Sequence, residues 1–184
     1  MDTISTSMAP GHSIQRRPSA VRFQVSSVSR ADFESIYRND RSRLIRALSI
    51  SLGDDALATE AVDEAFTRAL HRWNAVGSFD EPAAWIYRTA RNWATSRFRR
   101  RSRDRRFASV IARPESTVDS TPDPQLGEAL RSLPVDQRNV LVLRYYLDWS
   151  INAIADALDI SPGTVKSRTS RALAELNRLL GDTK

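Results

Sequence analysis

The chain has 184 residues, 41% of them hydrophobic, and carries 28 lysines and arginines against 22 acidic residues, a formal charge of +6. That is enough for one medium core or two small ones, and the positive balance suits a polyanionic partner without saying which. The absence of cysteine excludes disulfides, thiolate zinc sites and cysteine nucleophiles, and His12 and His71 alone give a metal or catalytic centre almost nothing to work with.

Residues 1–29 are rich in serine, with Pro10, Gly11 and Pro18 but no sustained apolar period, and are read as a mostly disordered N-terminal extension. Val21, Phe23 and Val25 alternate within it as a short strand would. The N-terminus lacks the apolar block of a secretory signal, and no apolar run reaches the ~18 residues that span a bilayer. A cytoplasmic protein without membrane insertion is expected.

Residues 30–103 are predicted to form a first helical domain. Phe33, Ile36, Tyr37, Leu44, Ile45 and Leu48 fall at helical spacings, and Gly53, Asp54 and Asp55 break the pattern. A second helix carries an apolar stripe of Ala58, Ala61, Val62, Ala65, Phe66, Ala69, Leu70 and Trp73, with Glu60, Asp63, Glu64 and Arg68 on its other face. Asn74 to Glu81 reads as a loop, and Pro82 suits the first turn of a third helix bearing Trp85, Ile86, Thr89, Trp93 and Phe98.

That helix ends in a cluster of Arg97, Arg99, Arg100, Arg101, Arg103, Arg105 and Arg106 around the single acidic Asp104. Composition gives equal weight to a phosphate-contacting surface and to a solvated helix end. Residues 104–124, with Pro114, Pro122 and Pro124, read as a flexible linker. A second helical domain, 125–184, is expected to hold helices near Gln125–Ser132, Val135–Leu147, Ile151–Leu158 and Pro162–Leu180. The expected fold class is all-α: two small helical domains joined by the linker.

The strongest local signal is the run Ser150 to Arg168, which reads as a short helix, a tight turn and a second helix opened by Ser161 as N-cap with Pro162 at the first helical position. In the second helix Val165, Thr169, Ala172 and Leu176 share a packing side, leaving Thr164, Ser167, Arg168 and Arg171 free and Lys166 on the flank. In a major groove arginine can read guanine, serine or threonine can bond a base edge or phosphate, and lysine can neutralise a phosphate. A plain helical hairpin with a wet polar face is the alternative; turn, cap and basic face together favour DNA.

Leu133-Pro134-Val135-Asp136-Gln137-Arg138 through Leu143-Arg144-Tyr145-Tyr146, followed by this helix-turn-helix and the Thr164-Val165-Lys166-Ser167-Arg168 run, resembles region 4 of bacterial sigma factors. Response-regulator effector domains share part of that pattern. The first domain separates them: Ala58-Thr59-Glu60-Ala61-Val62-Asp63-Glu64-Ala65-Phe66 is similar to sigma region 2.2, and Pro82 to Asn92 is similar to region 2.3. The short linker leaves no room for a region 3 domain, as in the extracytoplasmic-function class.

The resemblance implies a non-enzymatic, cofactor-free subunit that binds core RNA polymerase and promoter DNA, with an anti-sigma protein as a further partner. It implies polymerase contact by Glu60, Asp63 and Glu64, whose alternative role is an ordinary solvated face. It implies minus-10 contact by the loop Val76, Gly77, Ser78 and Phe79 and by Arg88, Arg91, Asn92, Trp93, Arg97 and Arg100. It implies minus-35 contact by Ser161, Thr164, Lys166, Ser167, Arg168 and Arg171. Physics allows each: charge complementarity steers docking, and arginines and aromatics, with Trp85 and Tyr87 on the same helix, suit unpaired bases, although Trp85 sits at core spacing and is read as structural. Asp63, Ser96 and Thr169 depart from the family's usual glutamine, aspartate and apolar residue. A stand-alone helix-turn-helix regulator would leave the first domain unexplained, and an enzyme using Glu60, Asp63 and Glu64 would lack a phosphate-binding loop or histidine partner.

Overall fold

A computed structural model describes residues 29–105 and 123–181, so the N-terminal extension with its alternating Val21, Phe23 and Val25, most of the linker, and Arg106 lie outside the described residues. Helix α1 (Arg30–Leu52) starts from a reciprocal cap: the Ser29 hydroxyl accepts from the Asp32 N–H, and the Asp32 carboxylate accepts from the Ser29 N–H at 2.7 Å. It ends at Gly53, whose left-handed φ of 70° is open to glycine at little cost and lets its N–H reach the Ser49 carbonyl at 2.7 Å. Asp54 then caps α2 (Asp55–His71) by accepting from the Leu57 N–H at 2.8 Å.

Ala58, Ala61, Ala65 and Ala69 of α2 are all fully buried, and this small-residue stripe lets α2 pack closely between α1 and α4 (Pro82–Arg105). Phe33, Tyr37, Phe66 and Trp73 form an aromatic cluster at one end, edge-to-face apart from the stacked Phe33–Tyr37 pair, with the Trp73 indole donating to the Ser29 carbonyl at 2.8 Å. Leu70, expected on the apolar stripe, is instead exposed. The expected loop 74–81 begins as a four-residue helix, α3 (Trp73–Val76), because Trp73 and Val76 are both buried and anchor it.

In the second half Asp123 caps α5 (Pro124–Ser132), followed by α6 (Val135–Leu141). The single helix expected over Val135–Leu147 changes geometry at Leu141: Val142–Tyr146 form a π-helical turn in which the Leu147 N–H reaches the Val142 carbonyl. Trp149 N–H then bonds to the Leu143 carbonyl, so the widened turn leads directly into α7 (Ile151–Leu158). Asp159 closes α7 in the left-handed region, φ 59°, and Ser161 opens α8 (Pro162–Gly181) by accepting from the Thr164 N–H at 3.1 Å. Val165 and Ala172 are buried, as the spacing requires; the Thr169 hydroxyl is satisfied by the Val165 carbonyl.

The two halves, expected as separate domains, are packed together: α4 lies along α7, and α1 lies against α6 and the π turn. Three features carry the junction. The buried Arg138 guanidinium donates to the carbonyls of Ile50 and Ser51 at the end of α1 and to those of Arg131 and Leu133 around the end of α5, at 3.1–3.4 Å. Arg43 donates to the Leu147 carbonyl at 3.2 Å. The ring of Trp149 meets Tyr87 edge-on at 5.8 Å.

Tyr87 therefore does not belong to an exposed aromatic face: it is fully buried and its hydroxyl shares a 3.2 Å hydrogen bond with Ser51. Burial pushes its phenol up to about 12, with the Ser51 hydrogen bond and Arg91 opposing. Because the folded protein holds this proton more tightly than the unfolded chain, where a phenol titrates near ~10, stability is complete below that pH and falls as pH rises towards 12. The loss, roughly 3 kcal/mol, should appear as a urea midpoint that drops more steeply for wild type than for Tyr87→Phe under alkaline conditions. Parallel profiles for the two proteins would contradict it.

Candidate nucleic-acid interface

Helix α8 presents Lys166, Ser167 and Arg171 to solvent, with Thr164 half-buried at its first turn. The Ser161 hydroxyl, besides capping the helix, lies 2.8 Å from the Thr164 hydroxyl. Arg171 is laid back along the helix, donating to the Ser167 carbonyl at 3.2 Å and its hydroxyl at 3.3 Å, so a long cationic side chain is held along the helix but remains exposed. Arg168 differs. Its guanidinium pairs with Asp136 of α6 at 3.0 Å and its side chain is only 26% exposed, so it ties α8 to α6. Spacing alone placed Arg168 among the free residues; the acid that engages it lies on a different helix.

The acidic face of α2 is fully engaged within the chain. Asp63 receives a bidentate pair from Arg41 of α1 at 2.7 and 2.8 Å, Glu64 pairs with Arg68 at 2.8 Å, and Glu60 pairs with Arg97 of α4 at 3.1 Å. The hydrogen bond to Asp63 raises the Arg41 pKa. All of these groups remain at least partly exposed, so the pairs are exchangeable and contribute little to stability.

On α4 the sequence-predicted residues divide into two groups. Arg97 lies over the Trp93 ring, 5.4 Å from its centroid, and with Arg68, Asn92, Ser96 and Arg100 these line an open cleft of about 320 Å³ between α2 and α4. Cation, aromatic face and amide there converge on one concavity. Arg88 and Arg91 point instead towards the α7–α8 turn. In the preceding loop Gly77 is half-buried and Ser78 and Phe79 are exposed, but Val76 is only 2% exposed and is spent on the core, so any contact from this loop falls to its neighbours. Trp85 is half-buried, whereas Phe98 is 63% exposed, on the stretch of α4 beyond the buried Ala94.

Sequence reasoning missed Arg68 in the cleft, Asp136 behind α8, and Arg138, Trp149 and Asp159 at the junction. Arg68 was visible on the polar face of α2; nothing local marks the others. Among the described residues no group of histidine, aspartate and glutamate is arranged to hold a metal ion, and no helix is long and apolar enough to cross a membrane.

Residues 36–104 match the Sigma-70 region 2 family and residues 124–176 match Sigma-70, region 4. The ECF RNA polymerase sigma factor SigL of Mycobacterium tuberculosis is 34% identical over 137 residues, 70% of this chain and 77% of that protein. The RNA polymerase sigma-E factor of Streptomyces antibioticus is 31% identical over 152 residues, 81% and 84% of the two chains. In structure, the sigma factor RpoE from Bartonella quintana, solved with the anti-sigma factor NepR, aligns with a TM-score of 0.68 at 24% identity, covering 82% of this chain and 97% of that one. CnrH, solved with the cytosolic domain of CnrY, aligns at 0.59 and 24% identity over 85% and 92%; both share the fold. With a capped helix-turn-helix following a four-helix unit that ends in a basic, aromatic helix, and with relatives matched over most of their length, this chain belongs to the ECF family of RNA polymerase sigma factors.

Proposed function

We propose that this protein binds core RNA polymerase in the cytoplasm and directs it to promoters, reading the minus-35 element with α8 and opening the minus-10 element with α4 and its preceding loop. Residues 30–103 and 125–184 are the two working domains, with 104–124 the link between them. The observation that carries this reading is the convergence of Arg68, Asn92, Trp93, Arg97 and Arg100 on one cleft in a chain that also displays Lys166, Ser167 and Arg171 on a capped reading helix. Stacking on Trp93 and Phe79 and charge pairing with Arg88, Arg91, Arg97 and Arg100 suit a single strand with extruded bases. The face bearing Glu60, Asp63 and Glu64 docks on polymerase by exchanging its internal arginine partners for basic groups there. No bond-making step and no cofactor are assigned to the chain itself, and an anti-sigma protein is a further partner.

Within α8 the roles separate. Arg171 and Ser167 contact DNA, Lys166 neutralises a phosphate, and the Ser161–Thr164 cap positions the first turn. Arg168 acts through Asp136 as a positioning residue. Fluorescence anisotropy on a selected minus-35 duplex tests this: Arg171→Ala is expected to weaken binding by ~10- to 100-fold. Asp136→Ala should reproduce most of the smaller loss caused by Arg168→Ala. If Arg168→Ala weakens binding and Asp136→Ala does not, Arg168 reads DNA directly; if none of the three matters, α8 is not the reading helix.

A further inference from the structure

The conformation of Arg171 is set by α8 itself. Helical side chains lean towards the N-terminus, and the Arg171 guanidinium lies back over Ser167, one turn or about 6 Å nearer the start of the helix. Both bonds that hold it leave from one edge: Nε donates to the Ser167 carbonyl at 3.2 Å and Nη2 donates to the Ser167 hydroxyl at 3.3 Å. The hydroxyl has the right polarity, because it gives its one proton to the Thr164 carbonyl at 3.1 Å and turns only lone pairs to the guanidinium. Thr164 is fixed in turn by Ser161, whose hydroxyl accepts from the Thr164 N–H at 3.1 Å and lies 2.8 Å from the Thr164 hydroxyl. A ladder of hydrogen bonds therefore runs along one side of α8 from its cap to Arg171.

With Nε and one Nη2 proton engaged by Ser167, the end-on fork formed by Nη1 and Nη2 is left open, and that fork matches the O6 and N7 acceptors of guanine in a major groove. An arginine free to swing would pair with a phosphate as readily, since backbone contacts outnumber base contacts and carry no sequence information. Arg168 is tied to Asp136 and Arg178 to Glu175, so Arg171 is the arginine of α8 with no acidic partner among the described residues. We propose that Ser167 is a positioning residue that commits Arg171 to reading guanine in the minus-35 element instead of pairing with a phosphate. The inference rests on the assignment of α8 to that element, and it gives Ser167 a role through Arg171 beside its own contact. Holding the long side chain in advance lowers the ordering cost on binding, so the serine contributes to discrimination between base pairs.

The test is fluorescence anisotropy of the full chain on a selected minus-35 duplex, on copies in which each G·C pair is replaced in turn by A·T, and on a mixed-sequence duplex of the same length. One replacement should weaken wild-type binding by about tenfold, and Arg171→Ala should erase that penalty. Ser167→Ala should shrink the same penalty to about two- to threefold while affinity for the mixed-sequence duplex holds. It should also steepen the fall of log affinity with log salt by about 1, as Arg171 moves to a phosphate. Ser167→Thr, whose hydroxyl can bond the same Thr164 carbonyl, should restore the wild-type penalty. Ser170→Ala makes the equivalent change at an exposed serine outside the ladder and should leave penalty and slope unchanged. A full guanine penalty in Ser167→Ala, a uniform weakening on every duplex, or an equal change with Ser170→Ala overturns the positioning role, while an erased penalty in Arg171→Ala preserves the reading by α8. If no penalty depends on Arg171, that reading fails and the positioning role with it.

Discussion

Arg138→Ala is expected to cost about 3 to 5 kcal/mol of unfolding free energy, a large effect for a substitution at a polar residue. Among the described residues the guanidinium has no carboxylate partner; it donates to four backbone carbonyls, of Ile50, Ser51, Arg131 and Leu133. Two of these close α1 and the others surround the end of α5, where helix carbonyls lack internal partners and the helix dipoles are negative. Burial first, and then Arg131, lower the Arg138 pKa, so the charged form is disfavoured and depends on these carbonyls. Alanine would strand the carbonyls and loosen the junction between the halves in one step. Lysine should recover less than half the loss, because a point charge cannot span two helix ends as a planar fork does. Urea denaturation measures all three proteins, and a cost below ~1 kcal/mol for alanine would mean that water replaces the guanidinium.

The second large effect concerns strand opening. Trp93→Ala should lower affinity for a promoter carrying a pre-melted minus-10 element, measured with core polymerase present, by ~10- to 100-fold. The indole supplies a stacking face and also holds Arg97 over its ring, so its removal frees a cation as well as a platform. Trp93→Phe should recover most of the affinity. Phe79→Ala, removing an exposed aromatic ring from the loop before α4, should give a smaller loss in the same assay. Neither substitution should alter binding to an isolated minus-35 duplex. A loss on the duplex would place the defect in folding, and no loss on the pre-melted template would remove the cleft from the opening step.

Much of the fold follows from local signals. Gly53 and Asp54 separate α1 from α2, Pro82 starts α4, and Ser161 with Pro162 starts α8, because caps and proline act through neighbouring backbone groups. The faces of α8 were legible for the same reason, since Val165 and Ala172 repeat at helical spacing. The junction was not. Tyr87 and Trp149 stand 62 positions apart and Arg138 lies 88 residues from Ile50, so nothing local marks them as partners. An arginine inside an amphipathic helix reads as a solvated residue until a second helix end is brought to it. The π turn has the same origin: its widened geometry brings the Trp149 N–H to Leu143 and the indole to Tyr87. In the candidate interface residue types were readable, but engagement was not. Arg88, Arg168, Glu60 and Asp63 differ from genuinely open groups only through partners on other helices.

Run-off transcription on a pooled promoter library, with core RNA polymerase alone and with the protein added, tests the central claim most directly. The account predicts sequence-selective initiation only when the protein is present, from templates sharing one upstream and one minus-10 element, and loss of that selectivity with Arg171→Ala. Unchanged transcription, together with tight binding of the protein alone to particular duplex sites, would contradict it.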